Sequence, residues 1–342
     1  MNQLEIEEIL DKLLAAAELS LQVVFAKRLK TILRQVAQMY RKYEKNGELS
    51  FTELNKYNRF QKEMKLIGEM FTEDYKQIIQ DIQGQVENQF VGKYLMTAYI
   101  TEMSVNDGTD MGFDIPSKGV IKEALLNPIA ELTLPKVLEL HRNEIVRKID
   151  IELAQGMIAG EGYATMAKRI EMAVGFSQKK ARLVARTEVG RARSIAAEKV
   201  MEKASEYAEM GAIWMSMLDH RVRESHQELD GKKTDKKGYF HYKAWKAKAP
   251  RLWGIASMDI QCRCVKLLLV NGLIPEYRRE RDYMDDKYQQ KLADRIDKYM
   301  ADNGLTYKQA LKRAQKEVQA PSRVIPYVSY DDWYKSKEAV LK

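Results

Sequence analysis

The sequence predicts a mainly α protein: an elongated helical N-terminal region, then a small α+β module, then a helical C-terminal tail. Three observations predict it. Gly and Pro are sparse, 18 and 7 in 342 residues, too few for the many turns of a sandwich or barrel. Apolar residues recur at helical spacing through the first half. Short aromatic and β-branched runs with turn signals gather between about Phe176 and Val270.

From Leu4 to Tyr43 there is neither Gly nor Pro. Ile6, Ile9, Leu10, Leu13, Leu14, Ala17 and Leu21 form one stripe, which Val24, Leu29, Ile32, Leu33, Val36, Met39 and Tyr40 continue. Core packing is the reading for nearly all of it. Gly47 marks the stop, and Ser50-Phe51-Thr52-Glu53 reads as a capping box. A second helical stretch follows, broken near Gly68 and weakened at Gly84 and Gly92. Asn106 to Lys118 is a loop, Val120–Asn127 a short helix, and Pro135 opens a helix running to about Met157. After Gly160 and Gly162 a short helix is expected over Tyr163–Val174. Ser177 then caps a longer one to about Tyr207.

Ala212–Leu218 and Ile260–Val270 read as strands, with Asp230-Gly231 as a turn between them. Alternation in the second puts Cys262 and Cys264 on one face and Arg263 on the other. After Val270, Asn271-Gly272 and Pro275 make a linker. Glu276–Met300 and Thr306–Val318 read as solvated helices. Tyr330, Trp333 and Tyr334 then serve either to dock a partner or to pack back on their own domain. The expected divisions are 1–114, a helical leader; 115–175, a connector; 176–270, the basic α+β module; and 271–342, a charged helical extension.

The formal charge is +8, from 57 Lys+Arg and 49 Asp+Glu. Between Lys179 and Val270 stand about 20 Lys+Arg against 11 Asp+Glu, so the excess sits in the module. A polyanion or an acidic protein surface suits such a module, and so does a plain solvated face. No window is apolar enough to span a membrane, and Met1–Asp11 lacks a basic flank, so neither a membrane span nor a signal peptide is expected. Two cysteines cannot build a disulfide framework.

Asp219, His226, Cys262 and Cys264 offer one carboxylate, one imidazole and two sulfurs, a donor set that suits tetrahedral zinc. The same residues also read as a metal-free network, with the thiols buried as small hydrophobes. Zinc is the one cofactor the residues imply. Arg186, Glu188, Arg221, Arg223 and Arg263 form a second candidate set, an arginine network around Asp219. Lys232, Lys233, Lys236, Lys237, Lys243, Lys246, Lys248 and Arg251 interleave with Tyr239 and Trp245. That pattern suits phosphates and bases, or an insertion anchored by its rings. Three enzymes share some of these residue types: a metal-dependent nuclease around Asp219-His220, His226 and His241; a Cys-His hydrolase; and an ADP-ribosyltransferase. Each lacks part of its machinery, namely further ligands, an orienting residue, or paired glutamates. No catalytic residue and no enzyme activity are expected.

The ordered run Ala185-Arg186-Thr187-Glu188, Trp214, Asp219-x-Arg221-x-Arg223-x-x-His226, Leu229-Asp230-Gly231, Pro250 and Cys262-Arg263-Cys264 resembles the phage Mu F-like minor head protein family. The resemblance covers roughly Arg142 to Val270. It implies a virion structural protein of head morphogenesis, partnered by the portal protein and other head proteins, with contact to double-stranded DNA in some members. It also implies assembly in the host cytoplasm and residence in the head interior or near the portal. The alternative is a DNA-binding or metal-dependent DNA-processing protein that uses the basic module.

Overall fold

The computed structural model describes residues 2–45, 47–49, 52, 54, 58–105, 110–126, 133–273 and 276–341. Helix accounts for 68% of the described residues and strand for 10%, as the mainly α reading requires. The helical half contains α1 (Gln3–Tyr43), α2 (Arg59–Val105), α3 (Lys118–Leu126), α4 (Leu134–Ile158) and α5 (Tyr163–Ala204), with a short pair β1 (Glu44–Lys45) and β2 (Glu48–Leu49) after α1. The module follows as β3 (Met210–Met215), α6 (Glu224–Leu229), β4 (Phe240–Tyr242), β5 (Trp245–Ala247), α7 (Ala256–Asp259) and β6 (Val265–Val270). The C-terminal part holds β7 (Tyr277–Arg281), α8 (Asp286–Asn303), α9 (Tyr307–Glu317), β8 (Ser322–Pro326) and α10 (Tyr330–Leu341).

Helix α1 begins at a capping box: the Asn2 side chain accepts from Leu4 N and Glu5 N, and Glu5 accepts the Asn2 N–H at 2.9 Å. Helix α2 runs unbroken through Gly68, Gly84 and Gly92, contrary to the expected break. Each glycine costs a helix about 1 kcal/mol relative to alanine. The stripe Phe60, Met64, Ile67, Phe71, Tyr75, Ile78, Ile82, Val86 and Phe90 is buried along one face, and that packing overrides the cost. The expected cap at Ser50–Glu53 and the turn at Asn106–Gly108 lie outside the described residues.

Helix α5 also differs from expectation, being one helix of 42 residues rather than two. Ser177 does not cap; it sits buried inside the helix, with its hydroxyl donating back to Ala173 O at 3.4 Å. Between Ala185 and Met201 the helix is buried almost all round, with Ala185, Ala192, Ala196 and Ala197 among the buried positions. Those small side chains let α1, α2 and the module approach its backbone closely. A continuous cluster of buried residues therefore runs from Leu21 and Phe25 through Val189 and Val200 to Trp214, Phe240 and Cys262.

Strands β3 and β6 pair antiparallel, with Met210 opposite Val270 and Trp214 opposite Lys266. The second strand is shorter than expected: Ile260–Cys264 form the turn that leads into it. All six residues of β6 are buried, so its polar and apolar positions do not alternate with solvent. Asp230-Gly231 does turn, with Gly231 at φ 74°, and Lys232–Thr234 return alongside β3 through Trp214 N–Lys232 O and Thr234 N–Ala212 O bonds of 2.9 Å.

The expected helix over Glu276–Met300 is a strand in its first part. Strand β7 pairs antiparallel with β8, and Arg278, Arg279 and Glu280 are buried. Local charge pattern read as a solvated helix, but ion pairs to distant residues take these side chains inside. Helices α8 and α9 pack on a core of their own, Tyr288, Leu292, Ile296, Tyr299, Ala310 and Ala314. Of the two readings for the terminal aromatics, the structure shows packing back. Tyr330 and Trp333 are buried against Leu218, and Trp333 Nε1 donates to Glu280 Oε2 at 2.8 Å.

Candidate metal centre

His226, Cys262 and Cys264 come together from two distant stretches of chain. Helix α6 is a single short turn whose N-cap is Arg223, and it sets His226 facing the module interior. The Arg223 guanidinium reaches across to Met258 O at 3.1 Å and to Ile260 O. It thereby grips the turn that carries Cys262. Arg251 holds the same turn from the other side, donating from Nε to Cys262 O at 2.9 Å and from Nη1 to Gly190 O of α5 at 3.3 Å. Gly190 is where this contact needs a glycine, since a Cβ there would overlap the Arg251 guanidinium.

The His226 Nδ1 atom lies 3.6 Å from Cys262 Sγ and 3.4 Å from Cys264 Sγ. All three donor atoms fall within 4.8 Å of one another, and all three residues are buried. Zinc–sulfur and zinc–nitrogen bonds of about 2.3 and 2.0–2.1 Å at a tetrahedral angle separate N and S by about 3.5 Å. The donor set thus fits three corners of a tetrahedral ion. Beside it, Ser216 Oγ lies 3.4 Å from Cys264 Sγ, donates to His226 O at 2.8 Å and accepts from Trp214 Nε1 at 3.2 Å. Trp214 meets the His226 ring edge-on, with centroids 5.4 Å apart.

Burial alone would raise the Cys262 thiol, but hydrogen bonds from Cys264 and His226 and the nearby Arg251 cation outweigh it and hold the thiol well below its usual range. Burial and the neighbouring Cys262 sulfur push Cys264 the other way, well above that range. One sulfur is thus favoured as thiolate and its neighbour as thiol, with the imidazole beside both.

Asp219 does not join this group. Its carboxylate is taken by Arg263, with Nη2 to Oδ1 at 2.7 Å, and by the Arg221 N–H at 2.9 Å. Burial opposes the Arg263 charge, and Asp219 outweighs it and raises the guanidinium above its usual range. Of the expected arginine network, Arg223 and Arg263 hold the site, while Arg221 contributes its backbone. Arg186 turns to Glu18 of α1, and Glu188 pairs with Arg191 at 2.7 Å on its own helix. What α5 presents to the cysteine turn is Thr187 Oγ1, at 3.5 Å from Gln261 N, and the Gly190 carbonyl.

The basic insertion divides. Lys232, Lys233, Lys236, Lys237, Lys243 and Lys246 are exposed, as is Trp245. Lys248 turns inward to Glu202 at 2.9 Å and Glu198 at 3.2 Å, and Arg251 serves the cysteine turn. Tyr239 lies under Lys246, 4.6 Å from ring centroid to Nζ. Phe240 and Trp253 pack on Trp214 and anchor the insertion to the core. His241 pairs with Asp235 at 2.7 Å rather than with the cysteines.

Sequence reasoning missed a buried ionic network. Glu7 pairs with Lys93 at 2.7 Å, Arg193 with Asp11 at 2.6 Å, and Arg279 with Asp11 at 3.1 Å, so α1, α2, α5 and β7 are joined. Burial opposes the Glu7 charge, and Lys93, Arg193 and Arg279 outweigh it, holding the carboxyl far below its usual range. Charges seated inside apolar stripes, Glu7 beside Ile6 and Lys93 between Phe90 and Tyr94, were the available signal.

The Cys-His cluster is buried behind the Arg223 and Arg251 clamps, and a groove among Leu14, Gly84 and Ala185 lies away from it. Residues 147–267 match the family model described as Phage Mu protein F like protein. The chain is 36% identical over 339 residues to the minor head protein GP7 of Bacillus phage SPP1, covering 99% of this chain and 98% of that protein. It belongs to this family of phage minor head proteins. It is also 32% identical over 220 residues to the NAD(+)–arginine ADP-ribosyltransferase EFV of Enterococcus faecalis (strain ATCC 700802 / V583), covering 63% of this chain and 45% of that protein. More than half of that transferase thus lies outside the match. No solved structure matches.

Proposed function

We propose that this chain is a structural component of a phage head that sits beside the portal, touches other head proteins there, and contacts packaged double-stranded DNA. The observation that carries the reading is similarity along nearly the whole chain to a minor head protein, combined with a buried rather than open Cys-His cluster. Virion residence and assembly in the host cytoplasm belong to the same reading. No helix among the described residues is long and apolar enough to cross a membrane. Co-purification of the full chain with the portal protein of the same phage, followed by imaging, is the test. A stable complex at the portal ring is expected, and a head that incorporates the chain with no portal contact overturns it. Replacing His226 with alanine in the phage should lower the amount incorporated. Normal incorporation with loss of a catalytic activity would overturn the structural role.

The DNA reading rests on the exposed lysines from Lys232 to Lys246 and the exposed Trp245 ring. Phosphate contacts release counterions, so affinity should fall steeply with salt, by a slope of about −0.9 per contact on log axes. Binding of the full chain to duplex DNA at several salt concentrations measures it. Replacing Lys232, Lys233, Lys236 and Lys237 by glutamine should flatten the slope by about 3–4. An unchanged slope would place any DNA contact elsewhere.

The cluster is read as a zinc site held by His226, Cys262 and Cys264, with Asp219 serving Arg263 instead of the ion. In such a site zinc binding is coupled to folding, because the unfolded chain has no preformed ligand set. Elemental analysis of the purified full chain should find about one zinc per chain, with chelation lowering the melting temperature. Metal-free protein whose melting is indifferent to added zinc and to chelator leaves the hydrogen-bonded network alone.

A further inference from the structure

The stripe read from sequence on α1 is wider than its buried face. Ile6, Leu10 and Leu21 are buried, but Ile9, Leu13, Leu19 and Val23 are 42%, 52%, 60% and 51% exposed. Between them Ala15 and Ala16 are also exposed. At 100° per residue, Ile9, Leu13, Ala16, Leu19 and Val23 fall within about 60° of one line along the helix, and all face solvent.

This face is self-complementary about Ala16. Reversing the helix around that residue sets Ile9 opposite Val23, Leu13 opposite Leu19, and Ala16 opposite Ala16. One charge pair follows the same symmetry. The first turns carry Glu5 and Glu8, while the exposed cations Lys27 and Lys30 stand beyond Val23, and the reversal brings Glu5 opposite Lys27. Glu5 serves the capping box through Oε2, and Glu8 reaches Lys12 at 3.1 Å on the same helix. A two-fold axis requires such an isologous match, with each position meeting its mirror position. The small residues at the centre let two backbones come close. To one side, Gln80, Asp81 and Gln85 of α2 wall a groove of about 300 Å3 and provide a polar rim.

We propose that α1 is a self-association surface, on which a second copy of this chain lays its own α1 antiparallel, crossing at Ala16. The area is that of one helix pair, below the roughly 800 Å² per partner of a standard interface, so the dimer is weak and concentration-dependent.

The test uses the full chain. Sedimentation from about 1 to 200 μM should show a monomer–dimer equilibrium with a dissociation constant on the order of micromolar. Leu13→Glu, at an exposed site, should weaken it by about a hundredfold, because the symmetric interface loses the contact twice. Disulfide trapping sets the geometry, with the unaltered chain as control since Cys262 and Cys264 are buried. Ala16→Cys should cross-link to itself. Ile9→Cys should cross-link to Val23→Cys when the two are mixed, and neither should do so alone. Two copies of position 9 lie about 21 Å apart in this arrangement, beyond the reach of a disulfide. A monomer throughout the range overturns the proposal, and so does self-cross-linking of Ile9→Cys.

Discussion

Replacing Trp214 with alanine should destabilise the protein by about 3–5 kcal/mol, the range for removing a fully buried aromatic side chain. Trp214 is fully buried at the point where strand β3 meets helix α5, and it touches the rings of His226, Phe240 and Trp253 at centroid distances of 5.4, 5.3 and 6.0 Å. Its Nε1 donates to Ser216 Oγ, the hydroxyl that also holds the His226 carbonyl. Truncation therefore opens a cavity, removes one donor from the buried Ser216 hydroxyl and loosens the wall behind the cysteines. Chemical denaturation read by fluorescence and by circular dichroism measures the loss. Trp214→Phe should recover much of the packing but not the hydrogen bond. A loss below about 1 kcal/mol for the alanine variant would mean that the insertion is not anchored as described.

Replacing Asp230 with alanine should cost a comparable amount, about 3–5 kcal/mol, because it leaves a buried cation without its partner. Arg278 is fully buried and donates to Asp230 Oδ2 at 2.9 Å and to Oδ1 at 3.0 Å. Asp230 also accepts from Ser216 N at 2.8 Å and from Tyr330 N at 3.2 Å. One carboxylate at the end of α6 thus ties the module turn, strand β7 and the start of α10 together. The double variant Asp230→Ala with Arg278→Met should be less destabilised than the sum of the two single changes, since neither charge is then left alone. Limited proteolysis should cut the single Asp230→Ala variant earlier after residue 276 than the parent. Additive losses in the cycle, or unchanged proteolysis, would show that this ion pair does not hold the C-terminal part in place.

Where local pattern and burial agree, the chain could be read directly. The apolar stripe of α2 and Pro135 at the head of α4 each announced a helix. In the second half, the ordered residues from Thr187 to Cys264 announced the module. The joining of His226 with both cysteines was legible as a donor set, since imidazole and thiols in one small module have few other partners. Breaks were misjudged where a local cost met a distant gain: Gly68, Gly84 and Gly92 weaken a helix locally, yet the buried face of α2 holds it straight through them. The same reason accounts for Ser177, which has the side chain of a cap but sits inside α5.

The sequence by itself determined the helical scaffold and the family to which the chain belongs, because helical periodicity and ordered motifs are properties of neighbouring residues. Tertiary structure alone decided which charge meets which. Arg186 turns away to Glu18, Arg279 joins Asp11 across 268 positions, and Asp219 pairs with Arg263. A charged side chain taken out of water needs a partner of opposite sign, and only the folded chain determines which partner is within reach.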